Sequence, residues 1–491
     1  MDIEEAARSL RKALRGKREN LTVADAATRA GLSLRDAEKG LFYLLERYPS
    51  SLLTTDEGEL VFRFENGLSR LRKSLSPARR WLNKTGKALL GIGRFMLRAW
   101  ISVVLVGYAL LFLAIVIGLA FSRQGDDDDR GFGLEIGYVL LRMVSEALFW
   151  TFHPFSPFAI HTYDTRRPQK RRGKARGKDI PFYEKVNRFL FGPTKPPVDP
   201  RAEEQRLLAE IRARKGRIGI SDIMRVSGDT KDVAETRMAR LMLDYDGEVE
   251  VSDEGGITYH FPALRKTAAA DDYADRRGSA PGWTKRLELG PLTGNSWGSN
   301  LLIAALNGVN LLGSIWAIGN QVTLEKLSYL LQGVPWQMLT QDMGTPLALG
   351  WIPFVFSLAS FAFPLGRALF RPIEKKKKAT ENGRRAVLRS VLEFLGRSTA
   401  EESPRLDQQT LEQAFSTGAG QKASPEQLTQ QIVSLGGDLQ IDSASGRAYY
   451  RFVDLEAEVR ALAEERKAAS DEEARIGDVI FRAEETWPQQ A

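Results

Sequence analysis

Polar and apolar positions along this chain fall into two alternating regimes. In one, apolar residues recur every three or four positions, as amphipathic helices require, and then every second position, as strands require. In the other, charge disappears over stretches long enough to cross a bilayer.

The first regime opens with the amphipathic stretch EEAARSLRKALRGKR at 4–18. A short helix is expected over VADAATRA, 23–30, ending at Gly31, which suits a left-handed C-cap. A longer helix follows, opened by Ser33 as N-cap. TTDEGELVFRF, 54–64, then reads as two strands around Asp56, Glu57 and Gly58, whose glycine can take the positive φ of a tight turn. The order returns later as EEQRLLAEIRARKG, ISDIMRVS, a helix opened at Asp229–Thr230, and VSDEGGITYHF around Asp253, Glu254 and Gly255. Residues 23–64 align with 220–261 without a gap, and Asp25/Asp222, Gly31/Gly228, Tyr48/Tyr245 and Phe64/Phe261 are among the identical pairs. A more divergent third passage occupies 384–453, ending in the hairpin DLQIDSASGRAYYRF.

Helix, helix, turn, helix, hairpin is the winged-helix order, and self-similarity of this kind means one supersecondary unit used more than once. Three winged-helix-like α+β domains are therefore expected at 1–69, 201–265 and 384–453. Leu52, Leu60, Phe62 and Phe64, with Val249, Ile257, Tyr259 and Phe261, are expected to contribute to the domain cores.

The second regime comprises 99–122, 289–324 (most apolar at 299–320) and 343–366, all without charge. A weaker stretch, 132–152, contains Glu135, Arg142 and Glu146, spaced to share one helical face. Arg and Lys cluster on the cytoplasmic side of spanning segments. The chain has nine Lys/Arg and no acid over 70–98, and eight more over 166–178, including Arg166, Arg167, Lys170, Arg171, Arg172 and Lys174. RPIEKKKK follows the last apolar run, whereas the connections at 123–130 and 325–342 are poor in cations. If 132–152 spans, every basic cluster falls on one side. If it lies at the interface instead, the sidedness of 153–298 changes.

The expected fold class is thus mostly α with small β hairpins: a four-helix transmembrane region plus three winged-helix-like domains. Transmembrane hairpins fall at 99–153 and 299–370. A basic juxtamembrane segment at 70–98, linkers at 154–200 (basic) and 266–298, and a basic segment at 371–383 connect the domains, and 454–491 forms a charged helical tail. The expected location is a bacterial inner membrane, multi-pass, with both termini and all winged helices cytoplasmic.

Composition removes several chemistries. The 491 residues include no cysteine, which excludes disulfides, thiolate metal sites and cysteine nucleophiles. His153, His161 and His260 show no metal spacing, and an EF-hand begun at Asp126 would place Arg130 and Gly137 where oxygen donors belong. No phosphate-cradling glycine loop, nucleophile elbow or HExxH occurs. No enzyme activity and no cofactor is expected.

DNA binding would use the third helix of each domain, with cations on phosphates. The net charge is zero over 33–48 and minus one over 229–244, and 424–437 carries no cation. A protein partner or self-association at the lipid bilayer is therefore expected, with the domains as scaffolding or regulatory modules. Nucleic acid is disfavoured, which leaves a membrane-tethered transcription regulator as the alternative. Asn300, Asn307 and Asn310 in an apolar run keep a transporter or channel component as a second alternative, although intramembrane amides also serve helix packing.

PFYEKVNRFLFGP, 181–193, and DGEVEVSDEGGITYHFPALRKTA, 246–268, resemble segments of an uncharacterised membrane-protein family of cyanobacteria and plant plastids. The resemblance covers roughly 90–370 and is strongest over 181–268. It implies a winged helix beside Asn- and Gly-rich membrane segments and supplies no catalytic residues. Some plant members carry an iron–sulfur cluster biosynthesis label, which a chain without cysteine cannot inherit through thiolate ligation.

Overall fold

The computed structural model describes residues 1–15, 20–64, 68, 96, 99–117, 180–193, 199–268, 278–331, 334, 338–339, 341, 343–397, 405–441, 448–469 and 475–483. The chain is mostly helical with small antiparallel sheets. It divides into two compact units. One is built from Met1–Pro77, Pro197–Leu289 and Lys375–Ala491, the other from Ala78–Pro196 and Gly290–Glu374.

In chain order, α1 (Ile3–Leu14), β1 (Asn20–Thr22), α2 (Val23–Ala30), α3 (Leu34–Leu45), β2 (Ser50–Thr55) and β3 (Leu60–Phe64) form a first group. The apolar α4 (Ala99–Ile117) and the short α5 (Phe182–Phe191) follow. A second group comprises α6 (Ala202–Ala213), β4 (Arg217–Ile218), α7 (Ile220–Ser227), α8 (Lys231–Asp244), β5 (Glu248–Val251), β6 (Ile257–His260) and the single turn α9 (Pro262–Arg265). Next are α10 (Trp297–Gly319), α11 (Leu324–Leu331) and, after a π-helical turn at Leu347–Trp351, the 44-residue α12 (Ile352–Leu395). A third group begins in the last turns of α12. It continues as β7 (Leu406–Asp407), α13 (Gln408–Ala419), α14 (Pro425–Val433), β8 (Asp438–Ile441), β9 (Ala448–Arg451) and α15 (Val453–Ala468), and β10 (Val479–Ala483) ends the described chain.

The same local rules build each group. Thr22 and Asp25 close a capping box on α2, and Ser33 and Ser424 cap α3 and α14. Gly31, Gly228 and Gly420 end α2, α7 and α13 at φ of 64°, 77° and 69°, a conformation that costs glycine little. Gly58 and Gly255 turn the first two hairpins at φ of 81° and 80°. The sheet orders are β1-β3-β2-β10, β4-β6-β5 and β7-β9-β8, so in each group the strand before the second helix pairs with the last strand of the hairpin. One apolar core runs through all three groups and includes Leu10, Leu41 and Phe62, then Leu208, Met238 and Phe261, then Leu388, Leu411 and Phe452.

Several expectations need correction. Phe62, Phe64 and Phe261 are buried, and Leu52, Leu60 and Tyr259 pack partly against the core. Val249 and Ile257, however, are 53% and 47% exposed, because α15 lies against the opposite face of this hairpin, where Thr258 Oγ1 donates to Glu465. The basic segment at 371–383 is part of continuous α12 despite Pro364 and Pro372. Among the described residues of the C-terminal tail the helix ends at Ala468, and Val479–Ala483 is a strand on the edge of the first sheet.

In the second unit, three helical stretches are long and apolar enough to cross a membrane: Ala99–Ile117, Trp297–Gly319 and the start of Leu347–Leu395. α4 runs parallel to α10, since Leu105 meets Asn310 while Phe112 lies on Gly313 and clusters with Ala317. The helical stretch from Leu347 runs antiparallel to α10, with Gly350 against Ile318 and Ser357 bonded to Asn307. The expected segment 132–152 lies outside the described residues.

Candidate functional site

Two surfaces and the apolar bundle hold the described side chains that sequence singles out. The first is the N-terminus of the second helix in each group. In the first group Asp25 is buried and receives Arg212 Nη2 and Thr267 Oγ1, each at 2.7 Å, and the Ala268 amide at 3.1 Å. Burial alone would raise its pKa, but the Arg212 guanidinium and these donors hold the carboxyl below its ordinary value. In the second group Gly219 has no side chain with which to cap α7. Glu458 of α15 does so instead, accepting from the Ile220 and Ser221 amides at 2.8 Å and from Ser221 Oγ at 2.5 Å. Burial, with help from nearby Asp222, pushes Glu458 up to about 7. Arg466 of α15 donates to Asp222. Each of these helix starts is therefore sealed by the following group. In the third group the corresponding Asp407, Gln409 and Thr410 are exposed.

The second surface is the third helix and hairpin of each group. In the second group its cations are engaged within the protein, whereas Arg35 and Lys39 of α3 are exposed. Arg237 reaches Asp229 at 2.9 Å and Glu203 at 3.1 Å, Arg240 reaches Asp244 at 3.4 Å, and Lys231 pairs with Asp454. What remains outward includes Phe42, Val233, Leu243, Val249, Val251, Ile257, Val433, Leu439 and Ile441. The turn residues Asp56, Glu57, Asp253 and Glu254 are exposed, with Asp56 Oδ1 accepting from the Asp478 amide at 2.8 Å and Glu254 lying 3.8 Å from Arg460. A cleft of about 500 Å³ between the first and second groups is lined by Thr22, Arg35, Glu38, Glu59, Asp246 and Lys266, among others. Its charges are mixed, and Lys266 is held 2.6 Å from Glu59. Among the described residues no group of His, Asp or Glu is arranged to hold a metal ion.

In the apolar bundle Asn307 and Asn310 are fully buried. Asn307 Nδ2 donates to the Ser357 carbonyl at 2.9 Å, and Asn310 Nδ2 donates to the Leu105 carbonyl at 2.8 Å. α10 is thereby tied to a different neighbour through each amide, and Gly313 lets Phe112 of α4 lie directly on its backbone. Helix α5 fills the same bundle: Val186, Phe189 and Leu190 pack with Leu105 and Ile303, while Arg367 donates to the Leu190 carbonyl at 3.0 Å. α5 falls within the linker expected at 154–200, although its Phe, Val and Leu spacing over 182–191 carries the helical signal. Glu135, Arg142, Glu146, Arg166, Arg167, Lys170, Arg171, Arg172 and Lys174 lie outside the described residues.

No family model and no solved structure matches the chain. An uncharacterised chloroplastic protein of Arabidopsis thaliana is 24% identical over 319 residues, covering 60% of this chain. The match spans 57% of that relative, less than two thirds of its length.

Proposed function

We propose that this chain is a multi-pass membrane protein whose three groups are winged-helix copies of one repeat, serving on the cytoplasmic side of a bacterial inner membrane as a protein-contact and scaffolding module. The element order and the first-third-second sheet order common to the groups support the repeat. The observation that carries the contact role is the third helix and hairpin of the second group, whose surface is apolar and acidic with the cations of the helix already paired. A phosphate-binding face needs cations free to replace counterions.

Chain connectivity supports four crossings. The first unit is assembled from three separated stretches, so each intervening stretch must return to the side from which it left. Within 290–374 the antiparallel helices satisfy this requirement. Within 78–196 α4 supplies one crossing, and 132–152 is the segment apolar enough for the return. A parallel α4 and α10 make the same demand.

The full chain in nanodiscs of neutral lipid, titrated with random duplex DNA across a salt series, tests the contact role. Because the basic juxtamembrane clusters can attract DNA, the informative variant carries Arg35→Glu, Lys39→Glu and Arg240→Glu together. The proposed role predicts an unchanged affinity and salt slope. A fall of about tenfold or more with a shallower slope, as for lost phosphate contacts, would instead make the chain a membrane-tethered nucleic-acid binder.

A further inference from the structure

The first sheet shows how this hairpin can be extended. Its outer strand β2 is paired antiparallel with β10, with Thr55 opposite Val479 and Leu52 opposite Ala483. Asp56 N donates to the Asp478 carbonyl at 3.0 Å, which extends the contact to the hairpin turn. Val479, Ile480 and Phe481 remain more than half exposed, so main-chain pairing does most of the holding. The edge of this hairpin is a working seat for an added strand.

In the second group the equivalent strand, β5, ends its sheet, and no strand covers it among the described residues. Its parity can be read directly. Ser252 N donates inward to the Gly256 carbonyl, and Glu250 faces Thr258 across the ladder. Ser252, Glu250 and Glu248 therefore direct their main-chain groups toward β6, which leaves the N–H and C=O of Val249 and Val251 on the outer edge. The side chains are also sorted. Val249 and Val251, 53% and 68% exposed, share one face with Ile257 at 47%. Glu248 and Glu250 occupy the other, with Asp253 and Glu254 in the adjoining turn.

We infer that the β5 edge is a strand-addition site for an extended segment of a partner protein that alternates basic and apolar residues. The unpaired edge supplies main-chain affinity. The period of two then sets what fits: apolar side chains against Val249, Val251 and Ile257, and Lys or Arg beside Glu248 and Glu250. A second β5 is excluded by the same charges, because pairing EVEV with itself brings carboxylates together. This inference names a partner chemistry within the protein-contact reading and rests on it.

The probe is a labelled, end-blocked peptide of alternating Lys and Val flanked by glycines, compared with a peptide of the same composition in which the lysines and valines are grouped in blocks. Both are titrated by fluorescence anisotropy onto the full chain in neutral-lipid nanodiscs. Val251→Pro removes one outward N–H without touching the ladder to β6, and Glu250→Lys reverses a charge without touching the edge. Strand addition predicts that the alternating peptide binds at least about tenfold tighter than the block peptide, and that each variant lowers that affinity severalfold. Equal binding of the two peptides, or binding that Val251→Pro leaves intact, would reduce the site to charge attraction and overturn strand pairing. Failure here leaves the contact reading standing, whereas loss of DNA affinity on reversing Arg35, Lys39 and Arg240 would remove that reading itself.

Discussion

Asp25 and Glu458 show how single carboxylates join segments distant in sequence. Each sits at the start of a helix, where unpaired amides favour a negative charge, but their surroundings drive them in opposite directions. Asp25 has Arg212 beside it and is held ionised. Glu458 has no cation among its bonding partners, and burial dominates. A carboxyl whose folded pKa lies near 7 against an ordinary value near 4.5 favours the folded state most when protonated. Its contribution is therefore full below about pH 4.5, declines as pH rises to about 7, and is constant above that, a span of roughly 3 kcal/mol at most. Hydrogen exchange corrected for the intrinsic rate should show the α7 amides less protected at pH 8 than at pH 5. Glu458→Gln should flatten that difference, and a pH dependence surviving in the variant would assign it to another group. Asp25 works in the opposite direction, its contribution being lost only as pH falls below the ordinary carboxylate range. The sequence made the Asp25/Asp222 identity visible, but not its meaning. Arg212 and Thr267 lie far along the chain, and one chain offers no rule by which an aspartate selects a partner at that separation.

At the scale of elements, periodicity located the helices where it was long and the hairpins where glycine marked a turn. It missed β1, β4 and β7, which have two or three residues each and so cannot display an alternation. It missed β10 because VIFRA follows a charged helical pattern and becomes a strand only by pairing with β2. It divided α12 at its basic run because Pro364 and Pro372 are ordinary helix breakers. Packing is one of the two readings that sequence offers for Asn307 and Asn310, and both amides donate to carbonyls of neighbouring helical segments. Gly313 is the complementary feature, since any side chain there meets the Phe112 ring. Gly313→Leu should destabilise the detergent-purified protein by about 1–3 kcal/mol, as overpacking does, lowering its thermal aggregation midpoint. Adding Phe112→Ala should recover part of that loss. An unshifted midpoint in the single variant would mean that α4 and α10 do not pack through this contact.

The whole molecule is assembled out of chain order. Three stretches build one unit and the two between them build the other, so amphipathic and long apolar patterns alternate along the sequence. That alternation was legible, because hydropathy and charge runs are properties of composition. The joining of the three groups through buried contacts was not, because it depends on Arg212, Glu458 and Arg466 reaching across groups. The central claim is that all three groups share one side of a membrane crossed four times. The most direct test is a topology reporter inserted after Gly177 in the full chain, scored against reporters at the two termini. The account predicts that all three positions report the cytoplasmic side. A reporter at Gly177 on the opposite side from the termini would mean that 132–152 does not cross, and it would contradict both the four-crossing topology and the assembly of one unit from the three separated stretches.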